Sequence, residues 1–207
     1  MGRIKEIERK SHGRRKRKPV IYIICEGSET EIRYFKKFRS RECNIDIVPI
    51  PSQYKSADKL VQKSLATIGY NPYYPDEGDI VWCVFDRDDN SDAILMKAKQ
   101  TAVKEGYKIA FSNPSFEIWF LLHFSNQTTP LENCESVVNQ LKKKGKLEQY
   151  EKNKEVYEQL KSLQEVAIER AKKRMYELQE EHIEIISRES NPVTTVFELV
   201  EYLNSKK

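Results

Sequence analysis

The chain has 207 residues, of which 39% are hydrophobic and 33% charged, with only seven glycines and eight prolines. This composition excludes collagen-like and Gly/Ser-rich chains and supplies enough apolar side chains for a packed core. The net charge of +4 is uneven, because residues 1–18 carry nine Lys or Arg against two Glu, and the remainder is net negative. No apolar run approaches the roughly 20 residues of a membrane span, no secretory leader is evident, and the cysteines lack C-x-x-C spacing, so we expect a reduced, cytoplasmic protein.

Residues 1–18 are predicted to form a basic arm. The arm ends in five consecutive cations, Arg14, Arg15, Lys16, Arg17 and Lys18. Clustered cations neutralise phosphates and release counterions, so these five residues are candidate nucleic-acid-binding residues. The alternative is a solvated arm that aids solubility, and the pattern leaves both interpretations open.

Strands and helices alternate over residues 19–130. The runs 19–25 and 79–85 are almost entirely apolar, as in strands buried on both faces. Ser28 and Glu31 have the spacing of a capping box at the start of a helix. Further strands are predicted at 45–50 and 107–111, and further helices at 57–68, 92–104 and 116–124. The alternation predicts an α/β fold with a mostly parallel sheet flanked by helices.

From residue 131 the composition shifts to Lys, Glu, Gln and Leu, which predicts a helical extension over 131–207. A long charged helix is predicted over 150–183. Its thin apolar stripe consists of Leu160, Leu163, Ala167, Ala171 and Leu178. Such a stripe is typical of a packing seam, either against the chain's own body or against a partner protein. A last amphipathic helix follows Asn191 and Pro192.

Acidic side chains follow both of the buried strands. Glu26 comes directly after the first strand and Asp86 after the second, with Asp88 and Asp89 close behind. Ligands bind outside the carboxyl ends of parallel strands, and neighbouring strands lie about 4.8 Å apart, so these carboxylates converge if the strands are adjacent. Clustered carboxylates suit Mg²⁺ or Mn²⁺, which activate water for attack on a phosphodiester. Capping of the following helices is the alternative role, and the pattern alone does not decide between them.

Three segments together carry a family resemblance. They are Val-Ile-Tyr-Ile-Ile-Cys-Glu-Gly followed by Thr30 and Glu31, then Val-Trp-Cys-Val-Phe-Asp-Arg-Asp-Asp, and then Ser-Asn-Pro-Ser-Phe-Glu-Ile-Trp-Phe-Leu-Leu-His-Phe. Over about residues 20–203 the chain resembles the RloB-like family. That family is itself similar to Toprim domains, the metal-dependent module of topoisomerases, bacterial primases and overcoming-lysogenization-defect nucleases. The resemblance implies a Toprim-like, Rossmann-like core in which Glu26 is the general acid or base and Asp86 and Asp88 bind the metal.

The resemblance also implies a function. It suggests a nuclease acting as an effector of bacterial anti-phage defence, of the abortive-infection or restriction-linked kind, together with an AAA-type ATPase. The chain has no G-x-x-x-x-G-K-[ST] loop of its own, so ATP-dependent control would come from that partner. A non-catalytic Toprim-like docking subunit of the same complex is the alternative, and self-association is a further expectation.

Glu117, in the third segment, is a further candidate metal ligand. Its alternatives are pairing with a Lys or Arg and capping of its own helix.

The chain departs from the family pattern at two positions: Val193 stands where the closing motif usually has Ser, and Ser115 stands where the third motif often has Cys. Neither departure touches the acidic residues.

Overall fold

The structure, a computed structural model, describes residues 17–206, so the predicted cations Arg14, Arg15 and Lys16 lie outside the described residues. Within this range five strands form one sheet in the order β2-β1-β3-β4-β5. They are β1 Val20–Cys25, β2 Asp46–Pro51, β3 Ile80–Asp86, β4 Lys108–Asn113 and β5 Val193–Thr194. The first four are parallel to their neighbours, and β5 runs antiparallel to β4. The predicted α/β fold with a mostly parallel sheet is confirmed.

Helices cover both faces of the sheet. They are α1 Thr30–Lys36, α2 Ala57–Gln62, α3 Ser64–Ile68, α4 Asp92–Glu105, α5 Glu117–Phe124, α6 Cys134–Leu141, α7 Tyr157–Leu160, α8 Gln164–Glu180 and α9 Val196–Asn204. The larger core contains α1, α5, α6 and α9 with most of the buried α8 residues, and the opposite face is covered mainly by α2, α3 and α4. Because both faces are covered, residues 21–25 and 81–85 are all buried, which explains their unbroken apolar sequences. Among the described helices, none is both long and apolar enough to cross a bilayer.

Three local predictions differ from the structure. The helix predicted over 57–68 is two helices, because the chain leaves helical geometry at Lys63 and the Ser64 hydroxyl donates to the Leu60 carbonyl at 3.0 Å. The capping box is wrong: α1 begins at Thr30, and the Glu31 carboxylate accepts instead from the Gly27 N–H at 3.1 Å. The helix predicted over 150–183 is a loop, the short α7, a 3-10 turn and then α8.

The C-terminal extension packs against the sheet and also joins it. The side chains of Leu160, Ala167, Ala171 and Leu178 are buried in the two cores of this chain. Four of the five stripe residues therefore form an internal seam, and the fifth, Leu163, is partly buried. The extension also contributes β5, which the sequence reasoning did not predict.

The side chain of Asn191, just before β5, is hydrogen-bonded to the backbone of Leu131, at the start of the extension. Its side-chain amide donates to the Leu131 carbonyl at 2.6 Å and accepts from the Leu131 N–H at 3.1 Å. This pair of bonds sets the path of the chain into β5 and α9. The closing motif thus has a structural role in this chain.

Candidate functional site

The carboxyl ends of β1 and β3 meet at one edge of the sheet, because these two strands are adjacent and parallel. Glu26 follows β1, and Asp86 is the last residue of β3. The backbone N–H of Asp86 donates to Glu26 Oε2 at 3.1 Å, which fixes the Glu26 carboxylate beside the next strand. The convergence predicted for these two residues is therefore seen in the structure.

An acidic cavity of about 340 Å³ opens at this edge. Its acidic lining residues are Glu26, Glu29, Glu31, Asp86, Asp88 and Glu117, and its basic ones are Lys55 and Lys152. Four of the five predicted metal ligands thus line one cavity. The fifth, Asp89, lies in a neighbouring pocket of about 210 Å³ with Arg87, because the backbone reverses there through a bond from the Asn90 N–H to the Arg87 carbonyl. Asp88 lines both spaces and has a positive φ of 33°.

Glu31 is a site residue that sequence reasoning interpreted only as a helix cap. It is 6% exposed, and its carboxylate is held over Gly27 by the N–H of that residue. A Cβ on Gly27 would lie 2.1 Å from Glu31 Oε2, so only glycine leaves room for the carboxylate. The signal in the sequence was the Glu-Gly pair followed four residues later by an acid.

Glu117 is buried at the start of α5 and has several donors. Its carboxylate accepts from the Ser115 hydroxyl at 2.8 Å, the Tyr150 hydroxyl at 3.1 Å and the Cys134 thiol at 3.4 Å. The Lys152 ammonium lies 3.8 Å away. Three of these four groups come from the C-terminal extension, so the extension completes the wall of the cavity.

The cavity has six carboxyl groups and only two lysines. Burial raises the pKa of Glu26 to about 7, and the N–H of Asp86 opposes the shift only in part. Burial likewise raises the pKa of Asp86 well above its usual range, with added repulsion from Glu31 and Glu117, and it raises that of Glu31. The pKa of Lys152 is raised despite its desolvation, because Glu117 favours its charged form. Protons or a bound cation would relieve this repulsion.

The donor set fits a hard divalent cation, because carboxylate oxygens are the ligands that Mg²⁺ and Mn²⁺ prefer. Glu26, Asp86 and Asp88 would hold such an ion, with Glu31 and Glu117 beside them. Between residues 17 and 206, however, no three His, Cys, Asp or Glu side chains already stand together as a ready coordination group. The carboxylate of Glu26 bonds to a backbone N–H and that of Glu117 to several side chains, so coordination requires side-chain rearrangement.

The two described residues of the predicted arm lie far from this cavity. The Arg17 guanidinium donates to both Asp79 oxygens at 2.8 and 2.6 Å, and Asp79 also accepts from the Val20 N–H at 2.7 Å. The Lys18 ammonium donates to the Cys43 carbonyl. These contacts fix the start of β1, at the opposite end of the sheet from the carboxylates. Arg17 and Lys18 therefore have a structural role, beside whatever they contribute to binding.

The family model described as RloB-like protein matches residues 21–203. No curated protein and no solved structure was found to match the chain. The matched range includes every carboxylate of the acidic cavity and leaves out the basic arm.

Proposed function

Since the chain belongs to the RloB-like family, we propose that it is a metal-dependent nuclease that hydrolyses phosphodiester bonds in DNA or RNA. The observation that carries the proposal is the acidic cavity at the carboxyl ends of β1 and β3, where six acidic side chains face two lysines. Ligand sites of parallel α/β sheets lie at this edge. The similarity of the family to Toprim domains supports the same chemistry.

Different residues of the cavity would have different roles in such a reaction. A bound Mg²⁺ or Mn²⁺ supplies Lewis acidity and lowers the pKa of water. Asp86 and Asp88 would hold the ion, and Glu26 beside them would transfer protons near neutral pH, since burial raises its pKa to about 7. Lys55 and Lys152 at the rim attract the phosphate. The bond from the Asp86 N–H orients the Glu26 carboxylate for this role.

We also propose which partner controls the enzyme and in which process it acts. The chain carries no phosphate-binding loop, so we propose that an AAA-type ATPase controls it from outside. Bacterial anti-phage defence of the abortive-infection kind, in the cytoplasm, is the setting that the family resemblance implies. Self-association of the chain belongs to the same proposal.

Two observations favour a second candidate, a non-catalytic docking subunit of such a complex. Within residues 17–206 no ready metal-coordinating group is formed. The Glu117 carboxylate has three hydrogen-bond donors and a nearby lysine, as a purely structural acid would. In this second function the cavity carboxylates stabilise the fold and the extension, and no bond is cleaved.

A cleavage assay separates the two functions. Wild type, Asp86→Asn and Asp89→Asn are incubated with 0, 1 or 10 mM Mn²⁺ and a mixture of labelled DNA and RNA. Asp89→Asn is the matched control, because it removes the same charge three residues away in the neighbouring pocket. The nuclease proposal predicts Mn²⁺-dependent products from wild type and Asp89→Asn, and at least a hundredfold less from Asp86→Asn. No cleavage by wild type, with or without a purified ATPase partner, favours the docking subunit.

A further inference from the structure

The first helix, α1, and the turn and loop that follow it carry a set of exposed positive charges. The sequence Arg-Tyr-Phe-Lys-Lys-Phe-Arg-Ser-Arg over residues 33–41 contains five cations and no acid. All five cations are exposed, whereas its three aromatic side chains are buried in the larger core. The five cations, called here the basic track, are Arg33, Lys36, Lys37, Arg39 and Arg41.

The basic track connects the acidic cavity to a second cleft. At its start, Thr30 and Glu31 of α1 line the acidic cavity. At its far end, Arg39 and Arg41 line a cleft of about 750 Å³, whose other charged lining residues are Arg17, Lys18 and Asp46. This basic cleft lies at the amino ends of β1 and β2. A six-residue strand spans about 20 Å, so the two sites are separated by roughly the length of six base pairs.

The charges of the basic track are available to an anion. Arg33 pairs with Glu29 at 2.7 Å and Lys37 with Glu155 at 3.0 Å, but both pairs are exposed, and such pairs contribute little. Lys36 and Arg41 form no ion pair within residues 17–206. Arg39 donates from Nε to the Ile47 carbonyl at 2.7 Å, which fixes its side chain over β2 and leaves the other two guanidinium nitrogens free of any hydrogen bond within the same range.

The occupant of this face must be anionic and extended. Residues 1–16 of the chain are themselves net positive, so they add to the charge and cannot neutralise it. Exposed cations spread along this face match the repeated phosphates of a nucleic acid, with one negative charge per roughly 1.7 Å of duplex.

We propose that the basic track is the surface along which a nucleic-acid backbone runs from the acidic cavity to the basic cleft. This inference rests on the proposed function, because it takes the substrate to be a nucleic acid. The contacts are with phosphates, so they position the substrate without reading its sequence. The cleft is a remote contact that fixes the direction of the strand relative to the carboxylates.

The test is a binding measurement without catalysis. A fluorescein-labelled 30-base-pair duplex and a 30-nucleotide single strand are titrated with protein in EDTA, by fluorescence anisotropy, at 50 to 300 mM NaCl. The variant Lys36→Gln/Arg39→Gln/Arg41→Gln is compared with Lys63→Gln/Lys104→Gln/Lys108→Gln, which makes the same charge change at exposed lysines away from the track. Thermal unfolding of each variant verifies that the fold is retained.

For the track variant we expect the affinity at 100 mM NaCl to fall about tenfold or more. The slope of log affinity against log salt concentration should also decrease in magnitude by roughly two to three, because about three phosphate contacts are lost. The control variant should bind within about twofold of wild type. Equal losses in both variants would show a net-charge effect and overturn the proposal, as would unchanged binding by the track variant or no binding by wild type. If the track variant alone loses binding but wild type never cleaves, the track stands and the nuclease proposal fails.

Discussion

Replacing Glu26 by Gln tests whether the acidic cavity is under charge repulsion. The amide oxygen of Gln can still accept from the Asp86 N–H, so the substitution removes the charge and keeps the shape and the bond that orients the side chain. Burial raises the pKa of Glu26 from 4.5 to about 7. In wild type, therefore, ionisation of this carboxyl above neutral pH weakens the fold.

The sign and the size of the effect follow from linkage. Because the pKa is higher in the folded than in the unfolded state, the folded chain binds the extra proton between pH 4.5 and 7, and the free energy of unfolding falls as the pH rises through that window. A shift of this size corresponds to about 3 kcal/mol, and water at the open cavity reduces it to roughly 2 kcal/mol. The Glu26→Gln variant avoids this loss, so it should be more stable than wild type by about 2 kcal/mol at pH 8, and about equally stable at pH 4.5.

Urea denaturation in EDTA, followed by circular dichroism at pH 4.5, 6, 7 and 8, measures this difference. EDTA removes trace metal ions, which would stabilise wild type in the same pH range. Glu29→Gln is the control, because Glu29 lines the same cavity but is exposed and paired with Arg33. A stability difference between Glu26→Gln and wild type that is the same at every pH, or that appears equally in the control, would refute the reasoning.

Three further predictions concern the walls of the cavity and the extension. Gly27→Ala should displace the Glu31 carboxylate and weaken Mn²⁺ binding at least tenfold by calorimetry, because the new Cβ would lie 2.1 Å from Oε2; unchanged affinity would contradict this. Lys152→Met should strengthen Mn²⁺ binding severalfold, because it removes a cation that competes for the same carboxylates, and weaker binding would show that the lysine does not compete. Leu160→Ala should lower the free energy of unfolding by about 2–4 kcal/mol, against less than about 1 kcal/mol for Leu65→Ala at an exposed position, and equal losses in urea titrations would contradict the internal seam.

The fold was predictable because its strongest signals are local. The apolar runs of β1 and β3 indicated strands covered on both faces, and both strands lie inside the sheet. Gly106 ends α4 in the left-handed conformation, which glycine adopts readily. The two-residue β5 was not predictable, because its pairing with β4 depends on contacts about 80 residues apart.

The candidate site was predictable only in part, for the same reason. Glu26 and Asp86 were found because each comes directly after an apolar run in the sequence. The role of Glu31 was missed, because its spacing from Ser28 matched a common helix cap and the packing over Gly27 is invisible in a pattern. Lys152 was missed because it reaches the cavity from the extension, far from the other lining residues in the sequence. The Thr30 hydroxyl donates to the Lys152 carbonyl at 3.1 Å, a contact between residues 122 positions apart.

The central claim is that the acidic cavity is a divalent cation site, and calorimetry with Mn²⁺ tests it most directly. Wild type, Asp86→Asn/Asp88→Asn and Asp89→Asn are titrated at pH 7.5 in two buffers of different ionisation enthalpy. The structure predicts that wild type and Asp89→Asn bind Mn²⁺ and release protons, because the pKa values of Glu26, Glu31 and Asp86 are raised, and that the double variant does not bind. Binding by the double variant with wild-type affinity, or no binding by wild type, would contradict the claim.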